Sequence, residues 1–201
     1  MRFITHSYRH GEAILRENQF LSIYNEVVAV ISNVTDEDLK SKHLSFNGKQ
    51  MSLSRAINDV LKERFMALGW REESPIFQDT EYEGERWRLD FAKNPISIEV
   101  AFNHGEAIAW NLLKPVLASE LNHVQKAIQT EVGIVITATE NLKRAGAFDS
   151  AVGEYEKFLR YLPPLSSVLT VPMLIIGLEA PETFRLEKTR EGEGRSAIIE
   201  I

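Results

Sequence analysis

From Glu12 to Ile31 the apolar residues Ile14, Leu15, Leu21, Val27, Val28 and Ile31 recur at helical spacing, which predicts one helix across that stretch. Asn33 to Gln50 is polar and reads as a loop. A second helix is predicted from about Leu53 to Leu68, with Ser52 or Ser54 to cap it and Gly69 to end it. Its buried stripe is Leu53, Ile57, Val60, Leu61 and Leu68, and Glu63 lies on the flank of that stripe. A hairpin follows, with strands at Glu85 to Phe91 and Ile96 to Phe102 and a turn at Lys93-Asn94-Pro95. A long helix is expected from Glu106 to Gln129, kinked or broken at Pro115. Gly133 to Ala138 and Val171 to Leu178 lack polar alternation, so they read as strands buried on both faces. Between them Ser150 to Tyr161 reads as a helix ended by Pro163-Pro164. The tail suggests a last hairpin, 183–201, from Phe184-Arg185-Leu186 and Ala197-Ile198-Ile199. Helices alternating with buried strands predict one α/β domain over residues 1–201, three layers deep, with a central mixed sheet flanked by helices.

The hairpin carries the chemistry. Along its second strand side chains alternate, so Ile96, Ile98, Val100 and Phe102 share one face while Ser97, Glu99 and Ala101 share the other. Glu99 is thus a carboxylate in the middle of an apolar strand. Burying it unpaired costs several kcal/mol, a cost that a metal ion or a cationic partner offsets. Asp90 stands across the turn, and a tight hairpin brings it near Glu99. Two carboxylates and a phosphate oxygen make a natural octahedral Mg²⁺ site. A salt-bridged or solvated pair satisfies the same spacing, and periodicity alone does not choose between them.

Composition narrows the field. There are no cysteines among the 201 residues, which excludes a disulfide framework and any thiolate metal site or nucleophile. The N-terminus lacks the apolar core of a signal peptide, and the longest apolar run, Val168 to Leu178, holds Pro172 and Gly177 and falls short of the roughly 20 residues of a membrane span. A cytoplasmic protein with no membrane partner is expected. The net charge of −6 argues mildly against nucleic acid, yet a chain that gathers carboxylates around a metal can still present one basic cleft. The five histidines (His6, His10, His43, His104 and His123) show no metal-ligand spacing. Gly192-Glu193-Gly194 lacks the strand-to-helix setting of a nucleotide loop and reads as a turn, so no nucleotide cofactor is expected.

Five segments in order carry a resemblance. Trp87 to Phe102 resembles the active-site hairpin of the BglII and BstYI group of type II restriction enzymes, within the PD-(D/E)xK superfamily. Tyr8 to Leu15 is similar to the N-terminus of that group, as is Asn58 to Glu63 followed by Gly69-Trp70. The strands Val132 to Thr137 and Pro172 to Gly177 fall in matching order.

The resemblance implies a restriction-endonuclease-like fold and a Mg²⁺-dependent enzyme that hydrolyses phosphodiester bonds in palindromic double-stranded DNA around a GATC core. It implies Asp90 and Glu99 as the metal ligands, Glu63 as an outer carboxylate, and a homodimer in a prokaryotic cytoplasm. The third motif position falls on Ala101, a departure: the wider superfamily carries Lys there and the nearest relatives Gln. Either another side chain substitutes, or the protein binds DNA without cutting efficiently, or an inactivating change stands at 101. Ala101→Gln is accordingly expected to speed cleavage; if it does not, the missing polar group comes from elsewhere, with Asn103 and His104 the first candidates. Asn103 and His104 follow the active strand and can approach DNA. Lys143-Arg144 and the stretch Gly146 to Ser150 read as a basic, polar loop, which a solvated surface loop explains as well; by resemblance it enters the major groove, with Ser150 first and then Asp149 and Asn141 as base readers. Arg185, Lys188, Arg190 and Arg195 offer phosphate contacts, though a solvated edge hairpin fits them equally. The apolar helix Leu112 to Ile128 is long enough to bury a second side on a partner subunit.

Overall fold

The computed structural model describes residues 1–47, 50–120, 124–188 and 196–201. Six strands form one mixed sheet: β1 (Phe3–Tyr8), β2 (Arg71–Pro75), β3 (Arg88–Lys93), β4 (Ile96–Ala101), β5 (Val132–Ala138) and β6 (Met173–Leu178). Their spatial order is β1-β6-β5-β4-β3-β2. β4, β5 and β6 run parallel, while β1, β3 and β2 join antiparallel at the two sides. Every residue of β5 and β6 is buried, because helices cover both faces of the sheet centre and leave no face for polar residues.

On one face pack α1 (Gly11–Leu15), α2 (Asn18–Ser32), α3 (Asp36–Ser45) and α4 (Ser54–Ala67), in a core that joins Leu15, Val27, Leu39, Ile57 and Leu61 to Ile98, Ile134 and Ile176. On the other face lie α5 (Ile108–Ser119) and α7 (Tyr155–Tyr161), where Leu112 and Phe158 meet Ala101, Val135 and Ile175. A short α6 (Glu140–Ala145) follows β5, capped by Thr139, whose hydroxyl accepts from Leu142 N–H at 3.2 Å. At the end of the chain β7 (Phe184–Lys188) and β8 (Ser196–Glu200) pair antiparallel, and Phe184 and Leu186 enter the larger core. Among the described residues no helix is long and apolar enough to cross a membrane.

Several expectations need correction. The helix predicted over Glu12–Ile31 is two, because Glu17 is extended (φ −69°, ψ 150°) between α1 and α2. The stretch read as a loop contains α3, whose start is a capping box: Thr35 and Asp38 satisfy each other's backbone N–H. Only Leu39 and His43 of α3 are buried, so it shows almost no hydrophobic period. β1 and β2 were not anticipated, since both are edge strands held by backbone hydrogen bonds and neither has an apolar face. The first hairpin strand begins at Arg88, not Glu85, since Glu85–Trp87 is a 3₁₀ turn. Pro115 sits inside α5 without breaking it; the helix ends at Ser119 because Glu120 is extended. The chain beyond runs beside residues 76–78, with Gln78 N–H donating to the Gln125 carbonyl at 2.9 Å and Ala127 N–H to that of Ile76 at 3.0 Å. The helix expected from Ser150 starts only at Tyr155, because 151–153 pairs with 103–105.

Candidate active site

β3 and β4 pair through Phe91 with Ile98, Ala92 with Ser97 and Lys93 with Ile96. One step further the same register sets Asp90 opposite Glu99, and there the ladder stops. Asp90 turns its own carboxylate into the opening: Oδ2 accepts the Val100 N–H at 2.6 Å. The two carboxylates are therefore cross-strand neighbours held by backbone geometry rather than by flexible loops.

Glu99 is 1% exposed. Its Oε2 accepts a hydrogen bond from Lys114 Nζ at 2.6 Å, while among the described residues its Oε1 is buried with no hydrogen-bond partner. Lys114, with a side chain 10% exposed, comes from α5, which lies very close to the sheet: a Cβ at Gly133 of β5 would stand 2.5 Å from the Pro115 Cβ. Burial pushes the Glu99 carboxyl well up, the adjacent Asp90 charge pushes it further, and the Lys114 ammonium and the Asp90 backbone N–H offset part of the rise. Burial also raises Asp90, with Lys114 and the Val100 N–H opposing. Beside Asp90 opens a cleft of about 180 Å³, lined by Asn58, Asp59 and Lys62 of α4 and Glu72 and Glu73 of β2.

These features fit a divalent cation. A buried carboxylate oxygen with no hydrogen-bond partner among the described residues, beside a second carboxylate that accepts the Val100 N–H through Oδ2, is a donor set short of a cation. Among the described residues no group of three or more His, Asp or Glu side chains converges, so water and substrate oxygens would complete the shell.

The raised carboxyls have a consequence for stability. The folded chain holds protons that the unfolded chain has released, so Glu99 costs stability as pH rises through the usual carboxylate range toward its folded value, and costs nothing below that range. In chelator, Glu99→Gln is expected to melt above the starting protein at about pH 8, by roughly 2–4 °C per kcal/mol gained, and the gap should close toward about pH 4. Breaking a buried pair normally destabilises, but Asp90 remains beside Lys114. A variant that melts lower than the starting protein at about pH 8 would contradict this account.

The structure places the other predicted residues unevenly. Glu63 is not brought to the pair: its side chain is 64% exposed and pairs with Lys42 at 2.6 Å on the α3 side of α4. The α4 residues that do face Asp90 are the adjacent Asn58 and Asp59 and, about one turn on, Lys62. Ala101 is 2% exposed and packs with Ile108 and Leu112 beneath α5. Asn103 and His104 are exposed at the C-terminal end of β4, where His104 bridges Val152 and Gly105 N–H donates to the Ala151 carbonyl at 2.7 Å. That pairing sets them beside exposed Asp149 and Ser150. Lys143 and Arg144 belong to α6 rather than to a loop. Lys143 turns inward, with Nζ donating to the carbonyls of Ser150 (2.8 Å) and Val152 (2.7 Å) and to Glu154 Oε2 (2.9 Å), so it staples the loop. Asn141 and Arg144 are exposed, Arg144 pairing with Glu140 at 3.2 Å. Lys188 lines a groove with Ser150 and Asp149, and Arg185 pairs with Glu187 at 2.7 Å. His123, Arg190, Arg195 and the Gly192-Glu193-Gly194 turn lie outside the described residues. Sequence reasoning missed Lys114; its only signal was a cation in a strongly apolar helix, three residues after Asn111.

No curated protein matches the sequence significantly. Among solved structures, the crystal structure of restriction endonuclease BglII complexed with a DNA 16-mer superposes with a TM-score of 0.69 over 100% of both chains, at 17% identity. Free BglII superposes with a TM-score of 0.58, over 100% of this chain and 94% of that one, also at 17% identity. At that identity the likeness establishes the fold, a six-stranded mixed sheet flanked by helices. The family model of restriction endonuclease BglII/BglIII matches residues 3–178, which takes in the sheet, the Asp90–Glu99 hairpin and α5, and the chain accordingly belongs to the BglII/BglIII restriction endonuclease family.

Proposed function

We propose that the protein is a type II restriction endonuclease that hydrolyses phosphodiester bonds in palindromic double-stranded DNA with a GATC-containing core, using Mg²⁺ held by Asp90 and Glu99. The observation that carries this reading is the opposed carboxylate pair at the opening of the β3–β4 ladder, with Glu99 Oε1 buried and without a hydrogen-bond partner among the described residues. Bound there, the cation supplies charge stabilisation for the phosphoryl group and lowers the pKa of the attacking water. The protein's part is to fix the two carboxylates. The Val100 N–H pins Asp90, and the β4 backbone, bonded to β5 on its other side, pins Glu99. Asn103, His104, Asp149 and Ser150 form one rim at the end of β4, suited to base edges, and Arg144 and Asn141 flank it. Lys143 contributes by holding that rim in shape rather than by meeting phosphate. The BglII structure in complex with DNA supports duplex DNA as the partner. A homodimer suits a palindrome, since two-fold symmetry in the protein matches two-fold symmetry in the site. The partner surface is not one continuous α5 face to Ile128, because that helix ends at Ser119.

A second reading, a DNA-binding member of the family with impaired cleavage, is favoured by Ala101, which has no polar group to orient water. Incubation with plasmid DNA and Mg²⁺ separates the two. Discrete fragments whose sequenced ends share a GATC-centred palindrome are expected, with sedimentation near twice the chain mass of 22.9 kDa. Uncut plasmid despite specific binding would establish the second reading, and ends scattered over unrelated sequences would remove the specificity.

A further inference from the structure

Ala101 points toward α5 from the same face of β4 as Glu99, and the next residue of that row is Asn103. α5 answers this row with Lys114 and Asn111, one turn apart. Lys114 Nζ donates to Glu99 Oε2 at 2.6 Å, and Asn111 Nδ2 donates to Asn103 Oδ1 at 2.9 Å. Between these two contacts lies Ala101, packed against Leu112 and Ile108. A side chain larger than alanine at 101 would meet the helix that brings the lysine in. The alanine therefore does not leave an empty slot; it makes room for a cation delivered from across the layer.

We propose that Lys114 is the catalytic lysine of this nuclease, reaching the carboxylate pair from α5 in place of a side chain at position 101. The inference rests on the metal-dependent cleavage proposed above. An ammonium has three N–H donors, and the described contacts of Lys114 use one of them, on Glu99. The other two are available to a non-bridging phosphate oxygen and to the attacking water. In the hydrolysis that follows, the water oxygen forms the new bond to phosphorus and the bond to the leaving ester oxygen breaks. One water proton passes to solvent and the leaving oxygen takes one up. Lys114 supplies positive charge and orientation where negative charge develops, and takes no part in the proton transfers.

The test compares the starting protein with Lys114→Met, which keeps the apolar stem and loses the charge, with Lys114→Gln, and with Ala101→Gln, each by melting, by Ca²⁺ titration, by DNA binding in Ca²⁺, and by single-turnover cleavage in Mg²⁺. Expected are a loss of cleavage of about 100-fold or more in both folded Lys114 variants and DNA affinity in Ca²⁺ within about threefold. Ca²⁺ should bind as tightly as before or tighter, because Glu99 is released from its competitor. Lys114→Ala combined with Ala101→Lys, which returns the ammonium from the strand, is expected to regain at least about tenfold over Lys114→Ala. Ala101→Gln alone is expected to bring no gain, reversing the expectation drawn from the sequence. Cleavage within about tenfold of the starting rate in either Lys114 variant would overturn the proposal. So would a parallel loss of Ca²⁺ binding, which would make Lys114 a support of the metal site, or a faster Ala101→Gln enzyme, which would make 101 the vacant position. Should neither single Lys114 variant fold, the double variant Lys114→Ala with Ala101→Lys decides: measurable Mg²⁺-dependent cleavage by the folded double variant supports the proposal, and a folded double variant that binds DNA in Ca²⁺ without cutting it overturns the proposal. If the starting protein cuts no DNA with any divalent cation, it is the functional reading that fails, and the lysine falls with it.

Discussion

Asp90→Asn and Glu99→Gln are each expected to lower Mg²⁺-dependent cleavage by about 1,000-fold or more, on the order of 4 kcal/mol of barrier, while the protein stays folded. The size follows from the geometry. The pair sits on two hydrogen-bonded strands, and although Asp59, Glu72 and Glu73 line the cleft beside Asp90, no group of three carboxylates or histidines is arranged to hold a cation among the described residues, so a lost ligand is not readily replaced. The fold should survive because neither carboxylate in its ionised form supports it: both are pushed above the usual carboxylate range, chiefly by burial. A thermal arm separates ligand loss from structural damage. If the pair binds Mg²⁺ as proposed, the cation is expected to raise the melting temperature of the starting protein, and each variant should lose that rise. Either variant cutting at a near-starting rate would remove the pair from the metal site.

Gly11→Ala is expected to cost about 3 kcal/mol, the upper end for an overpacked site, which for a chain of this size is roughly 6–12 °C of melting temperature. A Cβ at Gly11 would stand 2.3 Å from the Met173 carbonyl oxygen, 2.6 Å from its carbon and 2.8 Å from its nitrogen. All three atoms are backbone of β6, an interior strand bonded to β1 and β5, so no side-chain rotation relieves the clash. α1 would have to lift from the sheet, taking Leu15 out of the core, and Arg9, whose Nε donates to the Leu169 carbonyl at 2.7 Å, would be pulled with it. Thermal melting of the single variant measures this. A change under about 1 kcal/mol would show that the α1–β6 contact yields more easily than its backbone atoms suggest.

Much of the sheet was legible in the sequence because burial on both faces erases polar alternation, and that signature needs no knowledge of neighbours. Ile134-Val135-Ile136 and Leu174-Ile175-Ile176 are its clearest cases. The hairpin was legible for a related reason. Alternation along Ile96 to Phe102 separates the face that meets Leu61 from the face that carries Glu99, and the turn at Asn94-Pro95 sets the register that opposes Asp90 to Glu99. The edge strands β1 and β2 were not legible. Phe3–Tyr8 and Arg71–Pro75 are selected by backbone hydrogen bonds to a strand already in place, and their side chains carry no matching period. α3 was missed because Thr35 and Asp38, not an apolar stripe, start it.

By itself, then, the sequence determined the fold class, the family, the carboxylate pair and the fact that Glu99 needs a positive partner. It left open whether that partner is a metal or a side chain. Only the tertiary structure decided that Lys114 reaches Glu99, that Lys143 turns inward to staple its loop, and that Glu63 turns outward to Lys42 while Asp59 and Lys62 face the cleft. The physical reason is one of range. Periodicity fixes which face of an element is buried, a property of residues three or four positions apart. Which charge meets which across layers depends on how far a helix slides and rotates over the sheet. Here that placement is set by Gly133, Pro115 and Ala101, small or compact residues that let α5 settle close to the strands.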